Sequence, residues 1–395
     1  MVPFSIIFVG EFCVTIYILT AVIPAGAQYH YQDSKNVEML RHSEYRTPVR
    51  TEILIPQVCG YNVYKSDLHT HSVYSDGQVT PQYRIREAWL DGLDLIAVTE
   101  HIEYRPNEEI FYDYLKEYTN REYKPGTKGL DKGKSMVDLN YAVKESQKEA
   151  VKYGILIIPG TEITRSGNEV GHFNALFTTD NNLIYDKDPV QAIRNAKAQG
   201  ALVMHNHPGW TRKNIAMTET EEKVYGEGMI DGVEVMNGAE FYPGIIDRVR
   251  EGKMFIAANT DIHASTAAEY NVLGETRPMT LILAKDRSLE SIRESLEAGR
   301  TIAYGFGHLC GSEELLLDLF KASVTLGPVD GKKVSLTNMT SIPYIIKKEN
   351  GNPVRIAPFS TYNTSIPENA ETLSLTILNL WTGADTHLKV ELPIK

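Results

Sequence analysis

Seven of the eleven histidines lie between positions 69 and 263, and most stand close to a carboxylate. His69 and His71 form a His-x-His pair in Asp67-Leu68-His69-Thr70-His71, and Asp76 follows in Ser75-Asp76-Gly77. The series continues with Thr99-Glu100-His101, Thr161-Glu162, Gly171-His172, His205-Asn206-His207 and Asp261-Ile262-His263. Imidazole nitrogen and carboxylate oxygen without thiolate form a donor set for zinc, manganese or iron. The three cysteines, Cys13, Cys59 and Cys310, are not spaced in the pairs of a thiolate zinc site. In an extended chain a spacing of two turns both rings of a His-x-His to one side, ready to chelate. Each element alone has a plainer reading, as a core histidine, a helix cap or a turn residue. Five of them at strand ends point instead to a metal site, because burying such groups without partners is costly.

The elements that must position these residues are short apolar runs alternating with capped helices, the pattern of βα units and a parallel sheet. Strands are expected at 63–68, 93–98, 155–158, 173–177, 201–204, 232–236, 255–258 and 280–283. Thr80-Pro81 and Asp188-Pro189 each supply an N-cap followed by proline at the first helical position, with closing glycines at Gly92 and Gly200; a third helix runs from Asp138 to Gly154. In an α/β barrel the C-terminal strand ends converge on one face, where active sites form, so the ligand-type residues are expected to meet there. Residues 104–137 read as a long loop over the barrel mouth. After about Gly307 strands alternate with Gly, Asn and Pro turns, which suits a small C-terminal β-sandwich holding His387 but no ligand cluster.

The apolar run FCVTIYILTAVI, followed by Pro24 and Ala25-Gly26-Ala27, reads as an export signal with cleavage after Ala27. Glu11 interrupts the stretch and leaves it too short for a membrane span, so a periplasmic or extracellular protein without a span after cleavage is expected. The expected organisation is a signal over 1–27, an arm over 28–61, a barrel over 62–308 and the β-sandwich over 309–395. Cys59 and Cys310 remain in the mature chain, and their pairing is open. With 40 Lys and Arg against 51 Asp and Glu the net charge is −11, which argues against a stable nucleic-acid partner.

The HTHSVYSDG start, the Thr-Glu-His step, the Glu ten residues before a His, the His-Pro step and the closing Asp-Ile-His resemble the polymerase and histidinol phosphatase (PHP) family. The likeness covers about residues 61–308. It implies a distorted (β/α)7 TIM-like barrel and a metal-dependent phosphoesterase holding three divalent ions. By that resemblance His69, His71 and Asp261 hold the first ion and Glu162 bridges it to the second. His172 and His207 complete the second; Asp76, His101 and His263 hold the third. Two points depart from the commoner pattern: Glu100 stands where Asp is frequent, and His205 is an extra imidazole that could exchange roles with His207.

A hydroxide between the first two ions would then attack phosphorus. Leaving-group protonation falls to His205, or to a water held by Asp261 or His263. Arg165, Arg212 and Lys213 are candidates to clamp a small anionic phosphoester, or are simply solvated loop charges. A phosphodiester is slightly favoured over a monoester, because the export signal and β-module look like those of a secreted branch with phosphodiesterase members. The alternatives are a metal hydrolase of amides or lactones, a class marked by a carboxylated lysine where Glu162 stands here, and a non-catalytic metal- or phosphate-binding protein.

Overall fold

The computed structural model describes residues 49–108, 110, 137–165, 170–271, 277–367 and 370–394, together with 31–32, 38–39 and 41–42. The expected export segment, and residues 111–136 of the expected mouth loop, lie outside the described residues. The chain divides into two units, Met1–Val49 and Arg50–Lys395. In the first, Tyr31–Gln32 pairs antiparallel with Arg41–His42.

The second unit opens with β1 (Asn62–Asp67), α1 (Pro81–Leu90), β2 (Leu95–Val98), α2 (Tyr141–Tyr153), β3 (Leu156–Thr164) and β4 (His172–Leu176). It continues with α3 (Pro189–Ala198), β5 (Leu202–Asn206), α4 (Glu219–Gly226), β6 (Gly232–Asn237), α5 (Gly244–Gly252) and β7 (Phe255–Asn259). Three of these helices begin where side chains satisfy their free amides. Thr80 accepts from the Tyr83 amide and Asp188 from that of Val190, each with proline next in line. Thr218 and Glu221 cap α4 reciprocally. Gly154 ends α2 at φ 64°, a left-handed conformation that costs glycine little.

These seven strands run in the order β7-β6-β5-β4-β3-β2-β1. The neighbours are parallel except at β4, which is antiparallel to both β3 and β5. A wholly parallel sheet was expected, and the difference is functional in effect. β3 also runs on past Ile158, through Pro159 to Thr164. It tolerates Pro159 where β2 ends, at the Val98 register. The β3–β4 hairpin then brings the first residue of β4 to the end of the ring where the other strands finish.

The two ends of the run meet beyond β1 and β7. Thr70 bridges Ile262 in parallel, the His71 amide donates to the Ile262 carbonyl at 3.2 Å, and the Asp261 amide donates to the His69 carbonyl at 3.0 Å. Side chains stitch the same seam: the Leu68 amide donates to Asn259 Oδ1 at 2.8 Å, and Asp67 accepts from the Thr260 hydroxyl. Inside the ring Leu68, Leu95, Ala97, Ile158, Leu176, Met204, Phe255 and Ala257 form one buried cluster, so the floor beneath the mouth is solid. Phe255 fills the place a side chain would take at Gly232, whose added Cβ would meet that ring at 2.2 Å.

Beyond the ring come β8 (Met279–Ala284), α6 (Leu289–Glu297), β9 (Thr301–Gly305), β10 (His308–Cys310) and α7 (Glu313–Ser323). The C-terminal module holds β11 (Val324–Leu326), β12 (Lys333–Asn338), β13 (Tyr344–Lys347), β14 (Val354–Ile356), β15 (Thr361–Ser365), β16 (Thr372–Gly383) and β17 (Thr386–Pro393). The ring's sheet does not stop at the expected boundary. From β1 it runs on through β8, β9 and β10 to β16, which carries β17 and leads to β13 and β14; β11, β12 and β15 form a second sheet. A boundary after residue 308 cuts the β9–β10 pair, where Ala303 faces Cys310. Leu309, Phe320, Tyr344 and Leu380 share one core with Ile85, Ile163 and Phe173 of the barrel. Cys59 and Cys310 are free thiols, the first exposed and the second buried. Among the described residues no helix is long and apolar enough to cross a membrane.

Arg277, just before β8, is a buried cation of the seam: it pairs with Asp67, and with Asp91 at 2.9 Å. Arg277→Met leaves Asp67 buried without its counter-charge. The expected cost is about 3–5 kcal/mol, read as a lower urea midpoint at unchanged slope.

Candidate metal centre

Nine residues converge at the end of the ring where the strands finish, in three groups whose ligand-type atoms lie within 4.8 Å of one another. His69, His71, Glu162 and Asp261 form one, Glu162, His172 and His207 the second, and His71, Asp76, His101 and His263 the third. Each residue arrives by a distinct route. The His-x-His pair follows β1, and Asp76 is turned inward by a tight loop in which the Gly77 amide donates to the Ser72 carbonyl at 2.9 Å. A Cβ on Gly77 would meet the Ser72 backbone at 2.8 Å, so the turn requires glycine. Glu162 lies near the end of β3, and His101 bridges it in parallel beyond β2. His172 starts β4, which reaches this end only because that strand is antiparallel.

Glu162 is wholly buried at the centre. Its Oε2 lies 2.8 Å from His101 Nδ1, 3.3 Å from His71 Nε2 and 3.4 Å from His69 Nε2. Its Oε1 lies 3.0 Å from His172 Nδ1 and 4.0 Å from His207 Nε2, and accepts from Asn206 at 3.2 Å. Asp261 spans the same two groups, with Oδ1 at 3.1 Å from His69 and 3.0 Å from His71, and Oδ2 at 3.6 Å from His207. Asp76 lies 3.1 Å from His263 and 3.3 Å from His101. Two ligand residues have left-handed backbones, Asp261 at φ 54° and His207 at φ 24°. Such strain persists only where the surroundings fix it, and it is common at functional sites.

The field of the site is that of clustered carboxylates. Burial opposes charge on Glu162, but His101 and His69 outweigh it and hold its pKa well below the usual range. Asp261 and Asp76 are lowered in the same way, against burial, by His69 and His71 and by His101 and His263 respectively. Burial likewise opposes charge on His101, yet Glu162 and Asp76 raise it to about 10. His207 is pushed down to about 4, chiefly by burial. His71 Nε2 and Asp261 Oδ1, 3.0 Å apart, are buried and make no hydrogen bond. Opposed donor atoms left over in this way, in a set of imidazoles and carboxylates, fit divalent metal ions.

Several residues that support the ligands are not apparent in the histidine pattern. Glu234 on β6 accepts from His69 Nδ1 at 3.0 Å and from the His207 amide at 2.8 Å, and Asn237 and Asn259 donate to it. It thereby fixes which nitrogen of His69 faces the first group. A lone carboxylate in the apolar run Gly232–Asn237 is the sequence signal for it. Arg84 of α1 donates to the carbonyls of His71 at 2.9 Å and of Ile262 and His263, both at 3.2 Å, gripping the first and last ligand loops together. Glu100, at the unusual step, belongs to none of the three groups; it accepts from the Ser72 amide at 3.1 Å and from the hydroxyls of Ser72 and Ser75, holding the Asp76 turn.

The structure corrects two expectations. His205 faces away from the ligand groups: its Nε2 lies 3.1 Å from Glu221 and its Nδ1 2.9 Å from the Tyr225 hydroxyl. The two-residue alternation that would align it with His207 breaks where the chain turns left-handed. Burial lowers the pKa of His205, and it is not placed to protonate a leaving group at the centre. Two of the three candidate clamps are likewise committed elsewhere. Arg212 is held by both oxygens of Glu221, at 2.7 and 3.0 Å, and Arg165 pairs with Glu103 and the Asp186 carbonyl. Lys213 is exposed, and none of the three side chains is bonded to a ligand residue among the described contacts.

A family model described as the PHP domain matches residues 67–242. Among solved structures, the chain is similar to a two-domain protein from Bacteroides vulgatus ATCC 8482 containing a predicted PHP-like metal-dependent phosphoesterase. The identity is 32% and the TM-score 0.76, over 88% of this chain and 100% of that one. The lesion-specific endonuclease PfuEndoQ from Pyrococcus furiosus is more distant, at 20% identity and a TM-score of 0.39, over 64% of this chain and 59% of that one. None of the curated proteins matches.

The geometry separates the two neighbouring histidines. After dialysis against manganese, metal analysis is expected to find His207→Gln depleted while His205→Gln keeps its content. Glu234→Gln, which frees the far side of His69, is expected to bind metal about 10–100-fold more weakly.

Proposed function

The chain belongs to the PHP family of metal-dependent phosphoesterases, and on that premise we propose that it hydrolyses small phosphodiesters at a centre of three divalent ions, as an exported protein. It is a metal-dependent phosphoester hydrolase; the preference for diesters and the ion count are the finer reading. One observation carries that reading: the ligand-type atoms fall into three groups that share Glu162 and His71. His69, His71, Glu162 and Asp261 would hold one ion, Glu162, His172 and His207 the second, and Asp76, His101 and His263 the third. Zinc, manganese or iron suits the donors, and such ions supply Lewis acidity and lower the pKa of water.

The protein's own residues do the positioning. Glu234 and Arg84 hold the His69 and His71 loops, while Asp261, facing two groups at once, orients the attacking water. With His205 tied to Glu221, the leaving oxygen takes its proton from water at the mouth beside Asp261 and His263. Their side chains are 21% and 34% exposed, the most open of the nine. The preference for a diester rests on charge. Arg165, Arg212 and Arg105 are paired with Glu103, Glu221 and Glu108, so the arginines near the mouth offer little to the second charge of a monoester.

Manganese- or zinc-loaded protein is expected to cleave bis(p-nitrophenyl) phosphate with kcat/KM at least about tenfold above that for p-nitrophenyl phosphate. Chelation and Glu162→Gln should each remove the activity. Turnover of the monoester alone would overturn the diester reading.

A further inference from the structure

The mouth carries two exposed aromatic rings, each set beside a ligand imidazole. Trp210 is 44% exposed, and its ring centroid lies 5.5 Å from that of His172 and 5.3 Å from that of His207. Tyr104 is 55% exposed and stands edge-on to His101 at 5.9 Å. The two rings stand beside histidines that face different oxygens of Glu162: His172 and His207 face Oε1, and His101 faces Oε2. Single exposed hydrophobic residues ordinarily need no explanation. These two are set apart by their contact with the ligand histidines at either end of the centre.

The Trp210 loop is firmly held. Its amide donates to the His207 carbonyl at 2.9 Å, Thr211 is left-handed at φ 58°, and Arg212 is locked to the buried Glu221. At the preceding residue, a Cβ on Gly209 would strike the Tyr242 ring at 2.4 Å. The His205–Glu221–Arg212 chain, unused by the chemistry, therefore acts as the anchor of this loop. An aromatic ring fixed in advance loses little freedom on binding.

We infer that Trp210 and Tyr104 are stacking platforms for the two organic arms of a phosphodiester, and that the enzyme selects diesters with aromatic substituents, aryl or nucleobase. The inference rests on the diester reading and deepens it. A phosphoryl group between the ligand groups sends one ester arm toward each ring, and any base can stack on an indole or phenol face. The net charge of −11 argues against long polymers, so the substrates are short diesters.

The test compares bis(p-nitrophenyl) phosphate with methyl p-nitrophenyl phosphate, which keeps the leaving group and lacks the second ring. In Trp210→Ala the ratio of kcat/KM for the bis-aryl over the methyl ester is expected to fall about tenfold, through KM. Trp210→Phe should restore it, and Tyr104→Ala should lower it as well. A proportionate loss on both esters, the signature of disturbed metal binding, would overturn the inference, as would an unchanged ratio. In parallel, the dinucleoside monophosphate ApA is expected to quench the tryptophan fluorescence of the metal-loaded wild type, and the quenching to disappear in Trp210→Phe. Diester turnover with an unchanged ratio sinks the platforms and leaves the diester reading standing. Quenching without any diester turnover sinks that reading and leaves the platforms.

Discussion

A carboxylate with no exposure to water is tolerable only where positive charge or hydrogen-bond donors surround it. Glu162 meets that condition with five imidazoles and an amide within 4.0 Å. No single strand could supply that company. It has to come from the chain beyond β1, from the chain beyond β2, from β4 and from the end of β5 and the chain beyond it, all delivered to one end of one ring. The burial of this one oxygen pair thus sets the direction and length of several strands. The reversal of β4, which breaks the regular alternation of the barrel, is how a residue only ten positions from Glu162 comes to face it.

The support around the centre follows the same logic at the next distance out. Ligand imidazoles need their far nitrogens fixed, and Glu234 does this for His69 while also taking the His207 amide. The backbone that carries the first and last ligands would otherwise leave carbonyls unpaired in the seam; Arg84 collects them on one guanidinium. Asp67 and Arg277 balance each other below. Polar groups are plentiful in this interior, and among the buried atoms that make no hydrogen bond, His71 Nε2 and Asp261 Oδ1 lie opposite each other where a cation fits.

Much of this was legible in the sequence, because the signals were local. The period of two in His69-Thr70-His71, the Thr80-Pro81 and Asp188-Pro189 caps, and carboxylates placed where apolar runs end are read within a few residues. What escaped depended on distance or direction. An apolar run such as Phe173–Leu176 has the same composition whichever way it runs, so the antiparallel β4 was hidden. His205 and His207 look equivalent at a spacing of two, and only a left-handed backbone turn at the second separates them. Arg212 and Arg165 looked like free cations because Glu221 and Glu103 are brought to them by folding. The boundary after residue 308 was drawn at a change of composition, which a sheet crossing from β9 to β16 does not respect.

The seam has a consequence for when the centre comes into being. Its bonds join positions 191 and 193 residues apart, Leu68 to Asn259 and Thr260 to Asp67. A chain still emerging from the ribosome holds His69 and His71 long before Asp261 exists, and those two rings alone are a weak, unselective chelator. The binding cavity is a late product of folding, made only when the last strand reaches the first. Affinity for first-row ions follows much the same order at most nitrogen and oxygen sites, so the supply of ions decides much of what is bound. The relevant supply is that of the place where the ring closes, and the timing of closure becomes a determinant of cofactor identity alongside the ligands themselves.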